Sequence, residues 1–320
     1  MRLGLLSTAR INDAILTGAQ GTDRVDVVAV ASRDAAKAQA YASEHGIERS
    51  HGSYEALLED PEVDGVYISL PNSLHHEWSM RALAAGKHVL CEKPYSRHPA
   101  DVEEAFDAAD AAGLVLMEAF MYRHNPQTAR ARELVEAGRI GRLRSINATF
   151  TFPLDDPSNV RLLSELEGGA LMDVGCYCIS GSRVLAGEPE RVLGEQTVSE
   201  SGVDVAFDGI LRFPDDVVSL IHVSFAEQAR QRLEAIGEEG VLVLATPFRV
   251  DDPGIVLHRS DGDERIDVPL ADSYRLELEN LASAAAGEQK PLLGRADALA
   301  QARTIDALYR SAESGEAVTL

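Results

Sequence analysis

Residues 25–44 read VDVVAVASRDAAKAQAYASE, and this stretch shows the pattern that decides the fold of the first third of the chain. A short apolar run, Val25–Ala31, is followed at once by a helical pattern, Asp34–Glu44. Similar pairs lie at Leu3–Leu6 with Ala9–Ala19, Val63–Leu70 with Ser73–Ala85, and Lys87–Cys91 with Pro99–Ala112, and a last apolar run is Leu114–Met117. Short runs rich in Val, Ile and Leu suit strands covered on both faces, and their crossovers are right-handed. The pattern predicts a doubly wound parallel α/β sheet.

The pattern changes after Phe120. A helix is expected near Pro126–Ala137, a strand at Arg142–Phe152, helical stretches over Val160–Leu185, and two closing helices at Asp272–Ala286 and Ala296–Ala312. Between Arg191 and Val268, alternating segments broken by Pro and Gly indicate an antiparallel meander. We therefore predict two domains: a doubly wound parallel α/β domain, 1–120, and an α+β domain with a large, mostly antiparallel open sheet, 121–320.

Length, charge and cysteine count limit the number of domains and the kinds of partner that we expect. A chain of 320 residues favours two domains. Lys and Arg number 30 against 52 Asp and Glu, a net charge of −22, so we expect neither nucleic acid nor a membrane surface as partner. Three cysteines are too few for a disulfide framework or a four-cysteine zinc site. With no leader-like segment at the start, we expect a cytoplasmic protein. His75 and His76 would point about 100° apart on a helix and have no Asp, Glu or His partner at ligand spacing, so we expect no metal.

The turn after the first apolar run is the first candidate cofactor site. Small residues occupy the place of a glycine-rich fingerprint and would let a pyrophosphate approach the next helix N-terminus, where free N–H groups favour anions. An ordinary βα turn has the same features, so both interpretations stay open. The candidate residues are Ser7, Thr8, Ala9, Arg10 and Ile11.

The end of the second run bears on the choice of cofactor. A protein that binds the 2′-hydroxyl of NAD would have a carboxylate near position 31 or 32, but Ala31 and Ser32 stand there. A hydroxyl beside the guanidinium of Arg33, with Lys37 one turn further on, suits a 2′-phosphate. The segment favours NADP over NAD. The alternative is that Arg33 is a solvated residue at the start of a helix capped by Asp34.

Three further segments carry candidate chemistry. Leu70-Pro71-Asn72-Ser73-Leu74-His75 and Cys91-Glu92-Lys93-Pro94 follow predicted strands, where parallel sheets bind ligands. In the second domain, Asp173 and Tyr177 are four residues apart and share a helical face. A tyrosine with a pKa near 10 is a poor base, but the ammonium of Lys93 would stabilise its phenolate. The alternative is that Tyr177 only anchors its helix through the ring.

Together these motifs resemble the glucose-fructose oxidoreductase/inositol dehydrogenase/rhizopine catabolism (Gfo/Idh/MocA) family. The resemblance covers essentially the whole chain, and it implies a Rossmann-type dinucleotide-binding domain, 1–120, followed by a substrate-binding and oligomerisation α+β domain, 121–320. It is carried by the P-N-x-x-H segment at 71–75, Glu92-Lys93-Pro94, the junction Met117-Glu118-Ala119-Phe120-Met121-Tyr122-Arg123, and Gly-Gly-Ala-Leu-x-Asp-x-Gly-x-Tyr at 168–177. The chain is most similar to the NADP-dependent D-xylose 1-dehydrogenase and dihydrodiol dehydrogenase branch, which has tyrosine where inositol dehydrogenases carry histidine.

The resemblance implies a role for each matching residue. Lys93 would hydrogen-bond the reacting oxygen, Tyr177 would be the general acid/base, and Asp173 would orient substrate or lysine. Cofactor contacts would come from Leu70, Pro71, Asn72, His75, Glu92, Lys93, Pro94, Tyr122 and Arg123. Ser7, Ala9 and Asn12 stand where the family usually has glycine or alanine, and the departure from its glycine-rich pattern bears on how tightly the cofactor is held.

The implied activity is NADP(H)-dependent hydride transfer between nicotinamide and a sugar, polyol or related secondary alcohol or ketone. Two alternatives remain open: a sugar oxidoreductase with non-dissociating NADP, similar to glucose-fructose oxidoreductase, and a non-catalytic NADP-binding regulatory protein. Retention of Lys93, Asp173 and Tyr177 argues against the second, since a regulator needs no proton relay. The resemblance also implies a homodimer or a dimer of dimers, with the open sheets packed face to face.

Overall fold

The computed structural model describes all residues, 1–320. The chain divides into two compact units, Met1–His124 with Asp272–Leu299 and Asn125–Ala271 with Ala300–Leu320. The predicted domains, 1–120 and 121–320, stay a prediction. The compact units differ from these bounds mainly in residues 272–299, which belong to the first unit. This segment contains the helix Ser273–Ala285, which packs against the helix Asn12–Gln20.

The first unit contains a six-stranded parallel sheet in the order β3-β2-β1-β4-β5-β6. Its strands are β1 (Arg2–Leu6), β2 (Asp26–Ala31), β3 (Arg49–His51), β4 (Gly65–Ile68), β5 (His88–Glu92) and β6 (Leu116–Ala119). Its helices are α1 (Asn12–Gln20), α2 (Ala35–His45), α3 (Tyr54–Leu58), α4 (His75–Ala84) and α5 (Pro99–Ala112). All four residues of β4 are buried, as expected for a strand covered on both faces. The predicted Rossmann-type sheet is confirmed.

One strand of this sheet was not predicted. The sequence indicates five strands, whereas the structure has a sixth, β3, at the sheet edge. Its three residues, Arg-Ser-His, are half-buried and carry no apolar pattern. The strand forms through main-chain pairing of residues 49–51 with 29–31 of β2. A strand held mainly by its backbone leaves no hydrophobic signal in the sequence.

The second unit is built on a nine-stranded sheet in the order β14-β13-β12-β11-β7-β10-β9-β8-β15. Its strands are β7 (Leu143–Thr151), β8 (Arg191–Val198), β9 (Asp204–Arg212), β10 (Val218–Ser224), β11 (Arg230–Gly237), β12 (Val241–Leu244), β13 (Ile255–Arg259), β14 (Gly262–Ile266) and β15 (Val318–Thr319). Only β7 and β10 pair in parallel. The predicted large and mostly antiparallel open sheet is confirmed.

Helices α6 (Pro126–Glu136) and α7 (Cys176–Ala186) belong to the second unit, and α7 packs on β7, β10 and β11. A π-helical turn, Leu171–Gly175, leads directly into α7. The predicted helical region 160–185 is therefore continuous only from Leu171, since two short 3₁₀ turns occupy Val160–Leu162 and Ser164–Leu166. The last helices are α8 (Ser273–Ala285) and α9 (Arg295–Ser314). None of the helices has the length and apolar character needed to span a membrane.

Candidate active site

A buried hydrogen-bond network holds the turn after β1. The Ser7 hydroxyl lies 2.7 Å from the Ser69 hydroxyl, which follows β4, and it accepts a hydrogen bond from the Ala9 N–H at 3.0 Å. Asn12, fully buried at the start of α1, donates to the Ser7 carbonyl at 2.8 Å and accepts from the Ser69 hydroxyl at 2.7 Å. The network joins the carboxyl ends of two adjacent strands to the start of α1. Asn12, a departure from the family pattern, is thus a structural element of this turn.

The backbone at Ser7 adopts a conformation that favours glycine, with φ of 149°. Such a conformation is costly for a residue with a side chain and persists where the surroundings enforce it, often at functional sites. The same turn leaves Thr8, Ala9 and Ile11 half-buried and Arg10 exposed. The location fits the predicted phosphate-binding turn, and cofactor contact by these residues stays a prediction.

The end of β2 has the features expected of a 2′-phosphate site. Arg33 and Lys37 are exposed and neither is paired with a carboxylate, while Ser32 is buried beside them. Asp34, the nearest carboxylate, accepts hydrogen bonds from the N–H groups of Ala36 at 2.9 Å and Lys37 at 3.2 Å and so caps α2. Because its carboxylate is used in the cap, this end of β2 fits NADP better than NAD.

His75 joins two of the predicted loops. Its Nδ1 lies 2.9 Å from the Pro94 carbonyl oxygen and its Nε2 lies 2.8 Å from that of Leu70. The side chain is 1% exposed, and burial lowers the pKa of His75, outweighing the opposing effect of the two carbonyls. His75 therefore acts as a brace between the segment after β4 and the Lys93-Pro94 segment after β5. Its contact with a cofactor stays a prediction.

Two buried residues, Tyr67 and Glu277, lie close to Glu92 of the Glu92-Lys93-Pro94 segment. The Tyr67 hydroxyl donates to Glu92, and burial, together with the nearby Glu92 carboxylate, raises the pKa of Tyr67 well above its usual value. Glu277 of α8 is 1% exposed, and burial followed by repulsion from Glu92 raises the pKa of Glu277 strongly. Burial and the neighbouring carboxylate therefore favour the protonated form of Glu277. The sequence motifs did not indicate this residue, because α8 lies some 180 positions after Glu92 in the chain.

The junction residues Tyr122 and Arg123 are firmly held. Tyr122 is 1% exposed and meets the ring of Phe120 edge-on at 6.2 Å. Arg123 forms an ion pair with Asp297 of α9, with 3.1 Å between Nη1 and Oδ1. Arg123 therefore links the end of the first Rossmann segment to the later part of the same unit. The predicted cofactor role of both residues stays a prediction.

In the second unit, Tyr177 lies among aromatic rings. Its ring centre is 5.7 Å from that of Phe150 on β7 and 5.5 Å from that of Phe248. The side chain is 7% exposed. The ring therefore anchors the helix, which agrees with the alternative interpretation of the sequence. Lys93 belongs to the first unit, so its predicted partnership with Tyr177 stays a prediction.

Asp173 has a partner that the sequence motifs did not indicate. The Nε atom of Arg161 lies 2.6 Å from Asp173 Oδ2, and the Asp173 side chain is only 14% exposed. Arg161 belongs to the short 3₁₀ turn after Asn159, whose side chain accepts a hydrogen bond from the Arg161 N–H at 3.1 Å. A charge-assisted hydrogen bond of this length fixes the carboxylate. The site thus gains a cation in the second unit.

Comparison with known families agrees with this arrangement. A family model described as oxidoreductase family, NAD-binding Rossmann fold, matches residues 4–120, and a model of the GFO/IDH/MocA C-terminal domain matches residues 128–243. The chain belongs to the GFO/IDH/MocA oxidoreductase family. The family predicted from the sequence is confirmed, as is the prediction that the protein is an oxidoreductase.

Individual relatives in this family also match over most of the chain. D-xylose 1-dehydrogenase (NADP(+)) 2 of Haloferax volcanii is 39% identical over 327 residues, covering 100% of both chains. Trans-1,2-dihydrobenzene-1,2-diol dehydrogenase of Xenopus laevis is 33% identical, covering 83% of this chain and 81% of that protein. These two relatives represent the branch that the sequence predicted.

A solved structure of high similarity is a 3-ketoreductase from Actinomadura kijaniata in complex with NADP and TDP-benzene. It superimposes with a TM-score of 0.92 at 31% identity and covers 97% of each chain. Variants of that reductase with one lysine or one tyrosine replaced have also been solved. Those two positions have the same spacing, 84 residues, as Lys93 and Tyr177.

Proposed function

We propose that this protein is an NADP(H)-dependent oxidoreductase that transfers a hydride between nicotinamide and a sugar, polyol or related secondary alcohol or ketone. The observation that carries the proposal is the pair Lys93 and Tyr177, at the spacing of the lysine and tyrosine replaced in the A. kijaniata reductase. The full-length similarity to an NADP-dependent D-xylose dehydrogenase supports the same class of substrate.

NADP supplies the hydride donor or acceptor when it is bound. Tyr177 exchanges the proton of the substrate hydroxyl, and the Lys93 ammonium favours the tyrosinate form by its charge. Asp173, oriented by Arg161, positions the substrate or the lysine. Arg33, Lys37 and Ser32 bind the 2′-phosphate, while the turn at residues 7–11 binds the pyrophosphate. The similarity to NADP-dependent relatives supports this choice of cofactor.

We also propose that two copies pack their nine-stranded sheets face to face. Leu193, Ile210 and Leu220 are opposite one another on adjacent strands β8, β9 and β10, and they are 40%, 42% and 49% exposed. A contiguous apolar row on an open sheet favours a partner surface, and a second copy offers the same row. In a dimer of dimers, each dimer would be joined through this same face.

The three cysteines are buried free thiols, which is compatible with a reducing cytoplasm.

The activity is tested by incubating the purified protein with NADP⁺ or NAD⁺ and a panel of aldoses, polyols and secondary alcohols, while absorbance of the reduced nicotinamide is followed. Reduction of NADP⁺ with at least one sugar or polyol is expected. Absence of turnover with every compound, together with stoichiometric NADP release on denaturation, would instead favour the enzyme with non-dissociating cofactor. Reversible NADP binding without any turnover would favour the regulatory protein.

A further inference from the structure

The helix that carries Asp173 and Tyr177 has no capping side chain at the residue before its first turn. The helical region starts at Leu171, and the preceding residue, Ala170, has no side-chain acceptor. The first N–H groups of a helix have no partner within the helix and are usually satisfied by a Ser, Thr, Asp or Asn at this place. The start of this helix is therefore held by some other part of the chain.

The missing acceptor is supplied by Asp204, the first residue of β9. Its Oδ2 accepts a hydrogen bond from the Leu171 N–H at 2.6 Å, and its Oδ1 accepts from the Tyr309 hydroxyl of α9 at 2.9 Å. Asp204 is 3% exposed and Tyr309 is 6% exposed. One buried carboxylate thus connects β9, the helix start and Tyr309, all within the second unit.

The Gly168-Gly169 pair is shaped to receive this carboxylate. Gly169 has φ of +123°, and a Cβ atom there would lie 2.1 Å from Asp204 Oδ1 and 3.2 Å from the Tyr309 hydroxyl oxygen. A Cβ atom on Gly168 would lie 2.3 Å from the Arg161 carbonyl oxygen, which accepts from the Gly169 N–H at 2.9 Å. Both glycines are therefore needed for close approach. The pair brings the Asp204 cap and the Arg161 turn to the same helix start.

The electrostatic setting agrees with a capping role. Burial raises the pKa of Asp204 to about 6, and the hydrogen bonds from Leu171 and Tyr309 oppose that rise. A negative carboxylate at a helix N-terminus is favoured by the helix dipole. A buried carboxylate without partners would be strongly destabilising. The hydrogen bonds from Leu171 and Tyr309 offset part of this cost and define the start of the helix.

We propose that Asp204 and Tyr309 are positioning residues for the reaction. They fix the start of the helix, so that Asp173 and Tyr177, two and six residues beyond Leu171, are held where proton transfer requires them. This inference rests on the function proposed above. Because a displacement of about 1 Å at reacting groups reduces rates by about 10²-fold, small shifts of this helix start are expected to affect turnover.

The test compares Asp204→Ala, Asp204→Asn and Tyr309→Phe with a control, Ser311→Ala. Ser311 lies on the same helix as Tyr309, is fully buried and accepts from the Gly194 N–H at 3.0 Å, and its hydroxyl donates to the Glu316 carbonyl at 2.6 Å rather than to the start of the Tyr177 helix. We expect Asp204→Ala to lower kcat at least 10-fold, with the Kd for NADP unchanged. Asp204→Asn keeps an acceptor for Leu171 and should restore most of kcat. Ser311→Ala should leave kcat unchanged.

A second measurement does not depend on turnover. Hydrogen exchange of the amides in 170–177 should become faster in Asp204→Ala and, to a smaller extent, in Tyr309→Phe, but not in Ser311→Ala. If Asp204→Ala does not fold, Tyr309→Phe provides the comparison. Wild-type kcat and exchange rates in both Asp204→Ala and Tyr309→Phe would overturn the proposal, as would an equal loss of kcat in Ser311→Ala. A wild-type protein without turnover would overturn the proposed activity, and exchange at 170–177 would then decide the role of Asp204 by itself.

Discussion

Arg161 and Asp173 form an ion pair in which Arg161 Nε lies 2.6 Å from Asp173 Oδ2. Asp173 belongs to the family motif, whereas Arg161 lies ten residues before the helix, in a turn without a recognisable motif. The arginine is 42% exposed and the aspartate is 14% exposed, so the pair lies at the edge of the buried region. A carboxylate held this way has a defined orientation toward any bound substrate.

The first prediction concerns this ion pair. Arg161→Ala leaves the Asp173 carboxylate without its guanidinium partner, and we expect kcat/KM to fall about 10-fold, within the range of coupling energies for residues in contact. The double variant Arg161→Ala/Asp173→Asn should be no worse than Asp173→Asn alone. Arg130→Ala, which removes an exposed ion pair with Glu133 on α6, is the control and should leave kcat/KM unchanged. Fully additive losses in the double variant would show that Arg161 does not act through Asp173.

The second prediction concerns the choice of cofactor. Arg33 is exposed and has no carboxylate partner, so it is available to a phosphate. We expect Arg33→Ala to raise the Kd for NADP⁺ about 10- to 100-fold, as for loss of a hydrogen bond to a charged group, and to leave the Kd for NAD⁺ unchanged. Isothermal titration with both cofactors measures this difference. Equal weakening of both cofactors would place Arg33 away from the 2′-phosphate.

The third prediction is a pH dependence of stability caused by Asp204. Burial raises its pKa from 3.8 to about 6 in the folded protein. Between these pH values the folded protein retains a proton that the unfolded chain has released, so this group stabilises the fold less as pH rises from about 4 to about 6. A shift of about two units corresponds to about 3 kcal/mol.

This effect is isolated by comparing the wild type with Asp204→Asn, which does not titrate. The free energy of unfolding in urea, followed by circular dichroism, should favour the wild type by about 3 kcal/mol more at pH 4 than at pH 7. The wild type and Asp204→Asn share all other carboxylates, so the contributions of those groups to the pH dependence of unfolding cancel in the difference. A difference that stays constant over this pH range would contradict the raised pKa of Asp204.

The fourth prediction concerns the open sheet face. Ile210→Glu puts a charge in the centre of the exposed apolar row, and we expect it to convert a dimer into a monomer with unchanged circular dichroism, because a buried unpaired charge opposes association. Leu270→Glu is the matched control, since Leu270 is 74% exposed and lies outside the sheet. Analytical ultracentrifugation measures the mass of each variant. A dimeric Ile210→Glu protein, or a monomeric wild type, would exclude this face as the interface.

Part of the site is visible in the sequence because its signals are local. Both motifs follow buried strands. The structure places Glu92-Lys93-Pro94 at the carboxyl end of β5 and Pro71-Asn72 just after β4. The role of His75 was not visible in the same way. Its contacts run to the carbonyls of Leu70 and Pro94, so His75 braces two loops, and its contact with the cofactor stays a prediction.

The sequence alone determined the alternation of apolar runs and helical patterns, and with it the parallel sheet, the open second sheet, the family and the motif residues Lys93, Asp173 and Tyr177. These follow from periodicity and short motifs, which depend on neighbours in the chain. The tertiary structure decided which distant groups hold those residues: Arg161 on Asp173, Asp204 with Tyr309 at the helix start, and Glu277 near Glu92. Such contacts join residues up to some 180 positions apart and leave no pattern along the chain, because a buried polar group is specified by its partners in space.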